Sequence, residues 1–362
     1  MPTKPDDTLL ILSNSGGYGG APRSMEYLVH ELSQHFIIHI CAENSIHVTN
    51  LQKQAGPRLH VHPLKKGKGF SNMVRNLWYL RKLIRKIHPT RALSNTNKAA
   101  LFLGILNRLG GLGSTPKFVF VRDYQWRNRK LIWALLGKAT LLVPSPAVRE
   151  LPHYLPQWPV FEIPNFARPA KNAPAYSTTS RMVLCLAMVS RWKGIHLLVD
   201  SFAQAMAKQP DLKLVVVGRI VDKEYHQSIL SQIQSLGIAD HVQFESYTNL
   251  VEPFYQKAMV VVNTSISEFG GPETFGRTLI EAWAHSCPVV SFDCGGPRYI
   301  IDEGINGFLV PEKDTKKMAE RLVTLAQDDD LRVHMGAQGL QKLQTKFYPK
   351  RSTKILLDVL EA

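Results

Sequence analysis

Short apolar runs alternate with longer amphipathic stretches along the whole chain. In the first half, TLLILS, FIIHICAE, FVFVRDY and ATLLVPS predict buried strands, and the stretch from about Arg23 to Gln34 predicts a helix. In the second half, RMVLCLAMV, LKLVVVG, VQFES, AMVVVNTS, PVVSFD and GFLV predict strands, again with helices between them. Strands that alternate with helices form parallel sheets covered on both faces. The predicted fold class is therefore α/β, with two Rossmann-like parallel-sheet domains.

The linker between the two halves is the polar stretch ARPAKNAPAYSTTSR. A chain of 362 residues is too long for one ordinary core. We expect an N-terminal domain over residues 1–168 and a C-terminal domain over residues 181–345. Ligands of such sheets bind beyond the carboxyl ends of the strands, so we expect the chemistry in a central cleft that the two domains face.

The composition is that of a globular protein, with 44% hydrophobic residues. The apolar run AALFLGIL stops at eight residues, well short of the roughly 18 that a membrane span needs. The N-terminus does not resemble a secretory signal, and the four cysteines include no C-x-x-C pair. We expect a cytoplasmic protein with reduced thiols.

The net charge of +15 comes from one part of the chain. Residues 44–122 contain 15 Lys and Arg and no Asp or Glu, whereas the other 29 cations match the 29 acids. Within this span, apolar residues at helical spacing predict a basic amphipathic helix: Phe70, Val74, Leu77, Leu80, Ile84 and Ile87. The helix is either a core helix with a solvated face or a surface for anionic lipid or a phosphorylated acceptor. No nucleic-acid module accompanies the charge, so no nucleic-acid partner is expected.

The stretch EFGGPETFGRTLIEAWAHS contains two carboxylates, Glu273 and Glu281, around a glycine-flanked turn. A helix predicted from Thr274 to His285 would offer free N–H groups and a positive dipole end to an anion. Glu273 would repel phosphate, and we expect it to bind hydroxyl groups instead. Glu281, two turns into the helix, would reach a second hydroxyl pair such as a ribose. A nucleotide sugar offers all three groups; the alternative is a helix-dipole partner and a solvated glutamate.

These residues resemble the signature E-x-F-G-x-x-x-x-E-A of the retaining GT-B glycosyltransferases of family four. The similarity continues through DCGGPRYIIDEGINGFLVP, VSRWKGIHLLVDSFAQA, LKLVVVGR, IPNF and GGYGGAPRSMEYLVHEL, and so spans nearly the whole chain. It implies a nucleotide-diphospho-sugar donor, a glycan or lipid-linked acceptor in bacterial surface polysaccharide synthesis, and no metal or other cofactor. It also implies that a last helix, about residues 346–362, crosses back to the first domain. The basic span, for its part, predicts association with an anionic membrane surface, so that a cytoplasmic enzyme would lie peripherally at the inner face of the membrane.

The resemblance also implies roles for individual residues. Glu273 would hold hydroxyls of the donor sugar, and Glu281 would bind the ribose. Backbone N–H groups at Thr274, Phe275 and Gly276 would face sugar and phosphate. Lys193 would neutralise the leaving diphosphate, because departure of that group needs positive charge at the developing anion.

Two positions depart from the family pattern. The family has an Arg five or six residues before the lysine, but Met188 stands five before Lys193, and Arg191 is the candidate substitute. The family has a His in a V-H-D setting near the donor sugar, where this chain has Arg122 in FVFVRDY.

The first glycine loop is SNSGGYGGAPRS, and its candidate substrate-binding residues are Gly16, Gly17, Gly19 and Gly20. A dinucleotide fingerprint would need a third glycine where Pro22 stands, but Glu43 occupies the place of an NAD-binding acid. An NAD-dependent Rossmann enzyme therefore remains an alternative. A non-catalytic membrane adaptor on a degenerate transferase fold is another.

Overall fold

The computed structural model describes residues 7–14, 17–67, 69–124, 126, 128–151, 155–170 and 176–362. The chain divides into two compact units. Unit 1 comprises Met1–Asn165 and Pro349–Ala362, and unit 2 comprises Phe166–Tyr348. Unit 1 ends three residues before the expected domain boundary at 168, and the last helix belongs to unit 1.

Unit 1 contains a parallel sheet which, over the described residues, has seven strands in the order β3-β2-β1-β4-β5-β6-β7. Its strands are β1 Thr8–Ser13, β2 Ile37–Ala42, β3 Leu59–Pro63, β4 Arg91–Ser94, β5 Lys117–Phe120, β6 Thr140–Val143 and β7 Val160–Glu162. Its helices are α1 Gly20–Leu32, α2 Ser45–Gln52, α3 Phe70–Ile87, α4 Asn97–Arg108, α5 Arg129–Leu136, α6 Pro146–Arg149 and, at the end of the chain, α14 Pro349–Glu361.

Unit 2 contains a second parallel sheet, with six strands in its described part, in the order β10-β9-β8-β11-β12-β13. Its strands are β8 Met182–Leu186, β9 Lys213–Val217, β10 Val242–Glu245, β11 Ala258–Asn263, β12 Val289–Phe292 and β13 Phe308–Val310. Its helices are α7 Ile195–Met206, α8 Lys223–Ser235, α9 Glu252–Lys257, α10 Arg277–Trp283, α11 Pro297–Ile300, α12 Thr315–Gln327 and α13 Asp329–Lys346.

Both sheets are buried where the apolar runs predicted strands. Every residue of β11, AMVVVN, is buried, as are five of the six residues of β1. Such continuous runs of buried residues are typical of parallel strands that carry helices on both faces. The prediction of two Rossmann-like parallel-sheet domains is confirmed.

Three strands and one helix start differ from the sequence-based expectations. The short strands β3, β4 and β7 were not predicted, because LHVHP, RALS and VFE carry short or weak hydrophobic patterns. Helix α10 begins at Arg277 rather than Thr274, since Gly276 adopts φ 98°, outside the helical region. Within the part of the chain that the structure describes, no helix is long and apolar enough to cross a membrane.

Candidate functional site

The candidate site of unit 2 lies where the strand order of its sheet reverses. Strands β8 and β11 are direct neighbours there, although β9 and β10 come between them along the chain. The 3-10 turn Arg191–Lys193 follows β8, and the loop with Thr264 and Ser265 follows β11. Parallel neighbours end at the same edge, so the topology brings these two loops together.

Lys193 and Glu273 form an ion pair at this edge. The Lys193 Nζ lies 2.5 Å from Glu273 Oε2, and both side chains are about 15% exposed (15% and 14%). The hydroxyl of Ser265 accepts a hydrogen bond from Lys193 Nζ (3.2 Å) and donates one to Glu273 Oε2 (3.2 Å). Burial opposes ionisation of Glu273, but the Lys193 ammonium and the hydrogen bonds from Lys193, Asn263 and Ser265 outweigh it and lower the pKa of this carboxyl.

Backbone contacts hold Lys193 in place. Thr264 Oγ1 donates to the Lys193 carbonyl (3.0 Å), and the Ile266 N–H donates to the Trp192 carbonyl (2.8 Å). Gly194 follows with φ 60°, and a Cβ there would lie only 2.1 Å from the Thr264 carbonyl oxygen. Only glycine fits this position, so the KG pair of the sequence is the point at which the β8 loop contacts the β11 loop.

The backbone around Glu273 is held by the loop that follows β12. The Gly296 N–H donates to the Glu273 carbonyl (2.7 Å). A Cβ on Gly295 would lie 2.3 Å from that carbonyl oxygen, and a Cβ on Gly296 would lie 2.3 Å from the Phe275 Cα. The two glycines of DCGG therefore allow two backbone segments to touch, and this contact fixes where Glu273 emerges.

Glu281 lies on α10 with two polar partners. Arg277 Nε is 2.7 Å from its Oε1, and the Tyr255 hydroxyl donates to its Oε2 (2.9 Å). Tyr255 in turn stacks on His285 with ring centroids 5.4 Å apart. Arg277 could have been found from its spacing of four residues before Glu281. Tyr255 carries no such signal, because it comes from another element.

Residues 274–276 form the turn before α10. The Phe275 side chain is buried and meets Phe347 edge-on, with ring centroids 5.6 Å apart. Its role in the structure is to anchor the turn in the core. Thr274 directly precedes this anchor, and Gly276 lies between it and the first turn of α10.

Arg191 points to a different partner from Lys193. Its Nε lies 3.3 Å from Asp222 Oδ2, its guanidinium lies 5.6 Å from the centre of the Tyr225 ring, and its side chain is about half exposed. Asp222 also caps α8 by accepting from the Tyr225 N–H (2.9 Å). The structure therefore brings Lys193 and Glu273 together and pairs Arg191 with the start of α8.

In unit 1, Arg122 lies just beyond the carboxyl end of β5. Its Nε donates to Asn95 Oδ1 (2.9 Å), its Nη1 donates to Asn165 Oδ1 (2.9 Å), and its guanidinium stacks on Phe120 at 4.0 Å. Asn165 is the asparagine of IPNF. The sequence indicates Arg122 and the IPNF stretch separately. It does not indicate the contact between Arg122 and Asn165, because 43 residues separate the two.

The glycine loop of unit 1 leads directly into α1. Gly19 is the residue before the helix and Gly20 its first residue. A Cβ on Gly17 or Gly19 would meet nothing within 4 Å, so packing inside unit 1 does not require glycine there. Gly16 lies outside the described residues.

Glu43, which occupies the place of an NAD-binding acid in the sequence, already forms an ion pair. Lys98 Nζ donates to both of its carboxylate oxygens, at 2.7 and 2.8 Å, and the Glu43 side chain is 3% exposed. A carboxylate that is both paired and this deeply buried is not accessible to a cofactor ribose, which weighs against the NAD-dependent alternative.

About half of the chain is similar to a known protein family. Residues 168–342 match the family Glycosyl transferases group 1. This range, just under half of the chain, is similar to a group 1 glycosyl transferase domain. The matched range contains the Lys193–Glu273 pair and Glu281. It covers most of unit 2.

Two curated relatives match about half of the chain. The lipopolysaccharide core biosynthesis glycosyltransferase LpsE of Rhizobium meliloti is 27% identical over 46% of this chain and 46% of its own length. The phosphatidyl-myo-inositol mannosyltransferase of Mycobacterium leprae is 29% identical over 51% of this chain and 48% of its own length. The chain thus spans about half the length of these relatives.

A solved structure matches nearly the whole chain. Anabaena Alr3699/HepE in complex with UDP-glucose superposes with a TM-score of 0.82, at 19% identity over 98% of this chain and 99% of that one. Both units therefore have the fold of the GT-B glycosyltransferases, and the resemblance to GT-B enzymes is confirmed. Assignment to family four stays a prediction.

Proposed function

We propose that the chain is a retaining glycosyltransferase that moves a sugar from a nucleotide-diphospho-sugar to a glycan or lipid-linked acceptor. The Lys193–Glu273 pair at the switch point of the group 1 domain carries the proposal. An ammonium beside a carboxylate offers one group to a leaving diphosphate and one to sugar hydroxyls. The names of the relatives, in lipopolysaccharide and phosphatidylinositol glycosylation, support a role in bacterial surface glycan synthesis.

Lys193 has the donors that this role requires. A lysine ammonium carries three N–H groups. Two of them point to Glu273 and Ser265, at 2.5 and 3.2 Å. The third is assigned to a phosphate oxygen of the donor, where it stabilises the charge that develops as the diphosphate leaves.

The electrostatics of Glu273 favour a front-face displacement. Its lowered pKa keeps it ionised, so it is a poor general acid, and its pairing with Lys193 makes it a poor nucleophile. We assign Glu273 to the sugar hydroxyls. The bond from the sugar C1 to the phosphate oxygen breaks while the bond to the acceptor oxygen forms on the same face, and the acceptor proton goes to the leaving phosphate oxygen. Neither a metal ion nor another cofactor takes part in this proposal.

The turn and the remaining candidate residues complete the assignment. Glu281 binds the nucleotide ribose, and the backbone at 274–276 faces sugar and phosphate. In unit 1, Arg122 and the backbone of the glycine loop contact substrate. Arg191, held by Asp222, is proposed only as a secondary cation for the diphosphate.

The proposal also places the acceptor at an anionic membrane surface. Helix α3 exposes Phe70, Val74 and Trp78 beside four exposed cations, Arg75, Lys82, Arg85 and Lys86. We call these seven side chains the α3 surface. They suit a protein that sits peripherally at the cytoplasmic face of a membrane and glycosylates a lipid-linked acceptor there.

The two glutamates provide the test. Nucleotide diphosphates UDP, GDP and ADP are titrated calorimetrically into wild type, Glu273→Ala, Glu281→Ala and a surface control, Glu320→Ala. Loss of a charged hydrogen-bond partner is worth about 1.5–3 kcal/mol, or about tenfold or more in affinity. We expect Glu281→Ala to weaken the bare nucleotide by that factor. Glu273→Ala should leave nucleotide affinity near that of wild type and depress turnover of the nucleotide sugar.

Equal loss of nucleotide affinity in Glu273→Ala and Glu281→Ala, with both variants unfolding cooperatively near the wild-type temperature, would contradict the assignment. Tight binding of NAD by wild type, without binding of any of the three nucleotides, would instead support the dinucleotide alternative. Nucleotide sugar binding without any transfer or hydrolysis would support the adaptor.

A further inference from the structure

Unit 1 contains a buried chain of hydrogen bonds that ends at Arg122. We call it the Glu26–Arg122 chain; its members are Glu26, His47, Ser13, Asn95 and Arg122. Ser13 is the last residue of β1, Asn95 directly follows the neighbouring strand β4, and His47 lies in the first turn of α2. The members are scattered from position 13 to position 122, and only the topology of the sheet brings them to one edge.

The contacts in the Glu26–Arg122 chain are continuous. Glu26 Oε1 lies 2.7 Å from His47 Nδ1, and His47 Nε2 lies 3.0 Å from Ser13 Oγ. Asn95 Nδ2 donates to Ser13 Oγ (3.0 Å), and Arg122 Nε donates to Asn95 Oδ1 (2.9 Å). His47, Ser13 and Asn95 are fully buried.

The amide of Asn95 sets the direction of the bonds at the Arg122 end. Its N–H groups donate to Ser13 Oγ and to the Ala21 carbonyl (3.1 Å), so its oxygen is the group that accepts from Arg122. At the other end, a carboxylate accepts, so the bond between His47 Nδ1 and Glu26 has the imidazole N–H as its donor. The remaining bond is assigned with the Ser13 hydroxyl as donor and His47 Nε2 as acceptor, which corresponds to the Nδ1–H tautomer. With this assignment all four bonds run the same way, from the guanidinium cation to the carboxylate.

Packing of the core alone does not account for this ordered set of hydrogen bonds. Hydrogen bonds that all point the same way polarise one another, and a buried polar chain is favourable only when every member has a partner. Glu26 is held at the far end by the Tyr18 hydroxyl (2.9 Å) and by Asn50 (3.2 Å). The chain has the order of a Ser-His-Glu nucleophile triad, but Ser13 is 0% exposed, so no substrate can reach its hydroxyl.

We infer that Glu26, His47, Ser13 and Asn95 are positioning residues for Arg122. The chain fixes the guanidinium in one orientation and links its charge to a buried carboxylate, so that its position is set before substrate arrives. The functional part of this inference rests on the proposed contact of Arg122 with substrate. The structural part does not.

The structural part is tested without a ligand. The side-chain ¹⁵N signals of His47 and of Arg122 Nε are recorded by NMR in wild type and Ser13→Ala. We expect an Nδ1–H imidazole in wild type. Ser13→Ala should shift the Arg122 Nε–H signal and speed its exchange with solvent at least severalfold. Ser201→Ala is the matched control, since it deletes another fully buried hydroxyl, bonded only to the Leu197 carbonyl at 2.7 Å, in unit 2.

A panel of UDP-, GDP- and ADP-sugars is first screened for the nucleotide sugar that stabilises the wild type most. The functional part is then tested by a double-mutant cycle on turnover of that nucleotide sugar. Ser13→Ala should lower kcat about tenfold with little change in donor KM, and it should have no further effect in an Arg122→Ala background. If Ser13→Ala does not fold, Glu26→Gln takes its place in the cycle.

The outcomes separate the two ideas. If His47 carries its proton on Nε2, or if Ser13→Ala leaves the Arg122 Nε–H signal unmoved, the continuous hydrogen bonding inferred for the Glu26–Arg122 chain is wrong. Additive effects of Ser13→Ala and Arg122→Ala overturn the positioning role. Full activity of Arg122→Ala refutes the substrate contact proposed for Arg122 and, with it, the functional part of the inference. The NMR experiment still decides whether the Glu26–Arg122 chain of hydrogen bonds exists.

Discussion

At the scale of single residues, the site depends on charges that are largely removed from water. The Lys193–Glu273 pair is only about 15% exposed on each side, and a buried pair is destabilised strongly when one partner is lost. Lys193 was identified by its place in RWKG and Glu273 by its place in the E-x-F-G motif. Their contact was not predicted, because 80 residues separate them and no local pattern records it.

Glu273 should make stability depend on pH. Its pKa is lowered in the folded chain from an ordinary value of 4.5, so the ionised form contributes stability above about pH 4.5, and this contribution is lost as pH falls through the folded-state pKa. We expect Glu273→Gln to unfold more easily than wild type at pH 7, by about 1.5–3 kcal/mol, the value of a charged hydrogen bond. The gap should narrow steadily below pH 4.5.

Urea denaturation from pH 7 down to pH 3 measures this gap. Glu320→Gln, a change to an exposed residue of α12, provides the control and should track wild type throughout. A gap that widens towards acid pH would show that Glu273 is not held ionised by Lys193.

At the scale of elements, the turn from Lys193 to α7 depends on Gly194. Gly194 has φ 60° and a Cβ there would lie 2.1 Å from a backbone carbonyl, whereas Gly237 has φ 67° with nothing within 4 Å. Gly237→Ala should cost only the left-handed strain, about 1 kcal/mol. Gly194→Ala should cost a further 1–3 kcal/mol from the clash and should displace Lys193.

Urea denaturation of the two alanine variants, with nucleotide sugar turnover measured on each, checks this prediction. Equal losses of stability would mean that the β8 and β11 loops separate freely. Full activity of Gly194→Ala would show that the position of Lys193 does not depend on that contact.

The apolar residues of helix α3 belong to two surfaces, one buried and one exposed. The sequence predicted one apolar face. In the structure, Leu77, Leu80, Leu83 and Ile84 pack into the core of unit 1, while Phe70, Val74 and Trp78 form a separate exposed ridge. Lys82 Nζ lies 3.8 Å from the centre of the Trp78 ring. Helical spacing alone does not reveal which apolar residues find a partner, since that depends on the neighbouring elements.

The α3 surface should bind anionic vesicles. Each cation near such a surface contributes roughly 1 kcal/mol. We expect the wild type to sediment with phosphatidylglycerol-containing liposomes at low salt and less at high salt. Reversal of Lys82, Arg85 and Lys86 to Glu should abolish the association, and Trp78→Ser should weaken it.

The matched control reverses Lys208, Lys223 and Lys316, three exposed lysines of unit 2, and so changes the net charge equally. Equal loss with both triple variants would point to net charge alone. Unchanged sedimentation of the α3 variant would leave a soluble acceptor as the better proposal.

At the scale of the whole molecule, the prediction of metal independence rests on the role proposed for Lys193 at the diphosphate. The acidic run Asp328–Asp330 is already engaged, since Asp328 caps α13 through the Leu331 N–H (2.8 Å) and Asp329 pairs with Arg332. With Lys193 at the diphosphate, transfer should proceed at the same rate in excess EDTA. Loss of activity that magnesium or manganese restores would contradict this prediction.

The sequence by itself determined the α/β fold class and its two parallel-sheet domains, and it indicated Glu273, Glu281 and Lys193 as candidate site residues. Burial on both faces of a strand, helical spacing and turn-forming glycines are local properties of the chain, and they can be read from neighbouring residues. The tertiary structure decided which of these residues meet. Pairs such as Lys193 with Glu273, and His47 with Ser13, form at the carboxyl edge of a sheet between segments that are distant in sequence. Their contact depends on strand order and on the close backbone approach at glycines such as Gly194, and neither leaves a periodic signal in the sequence.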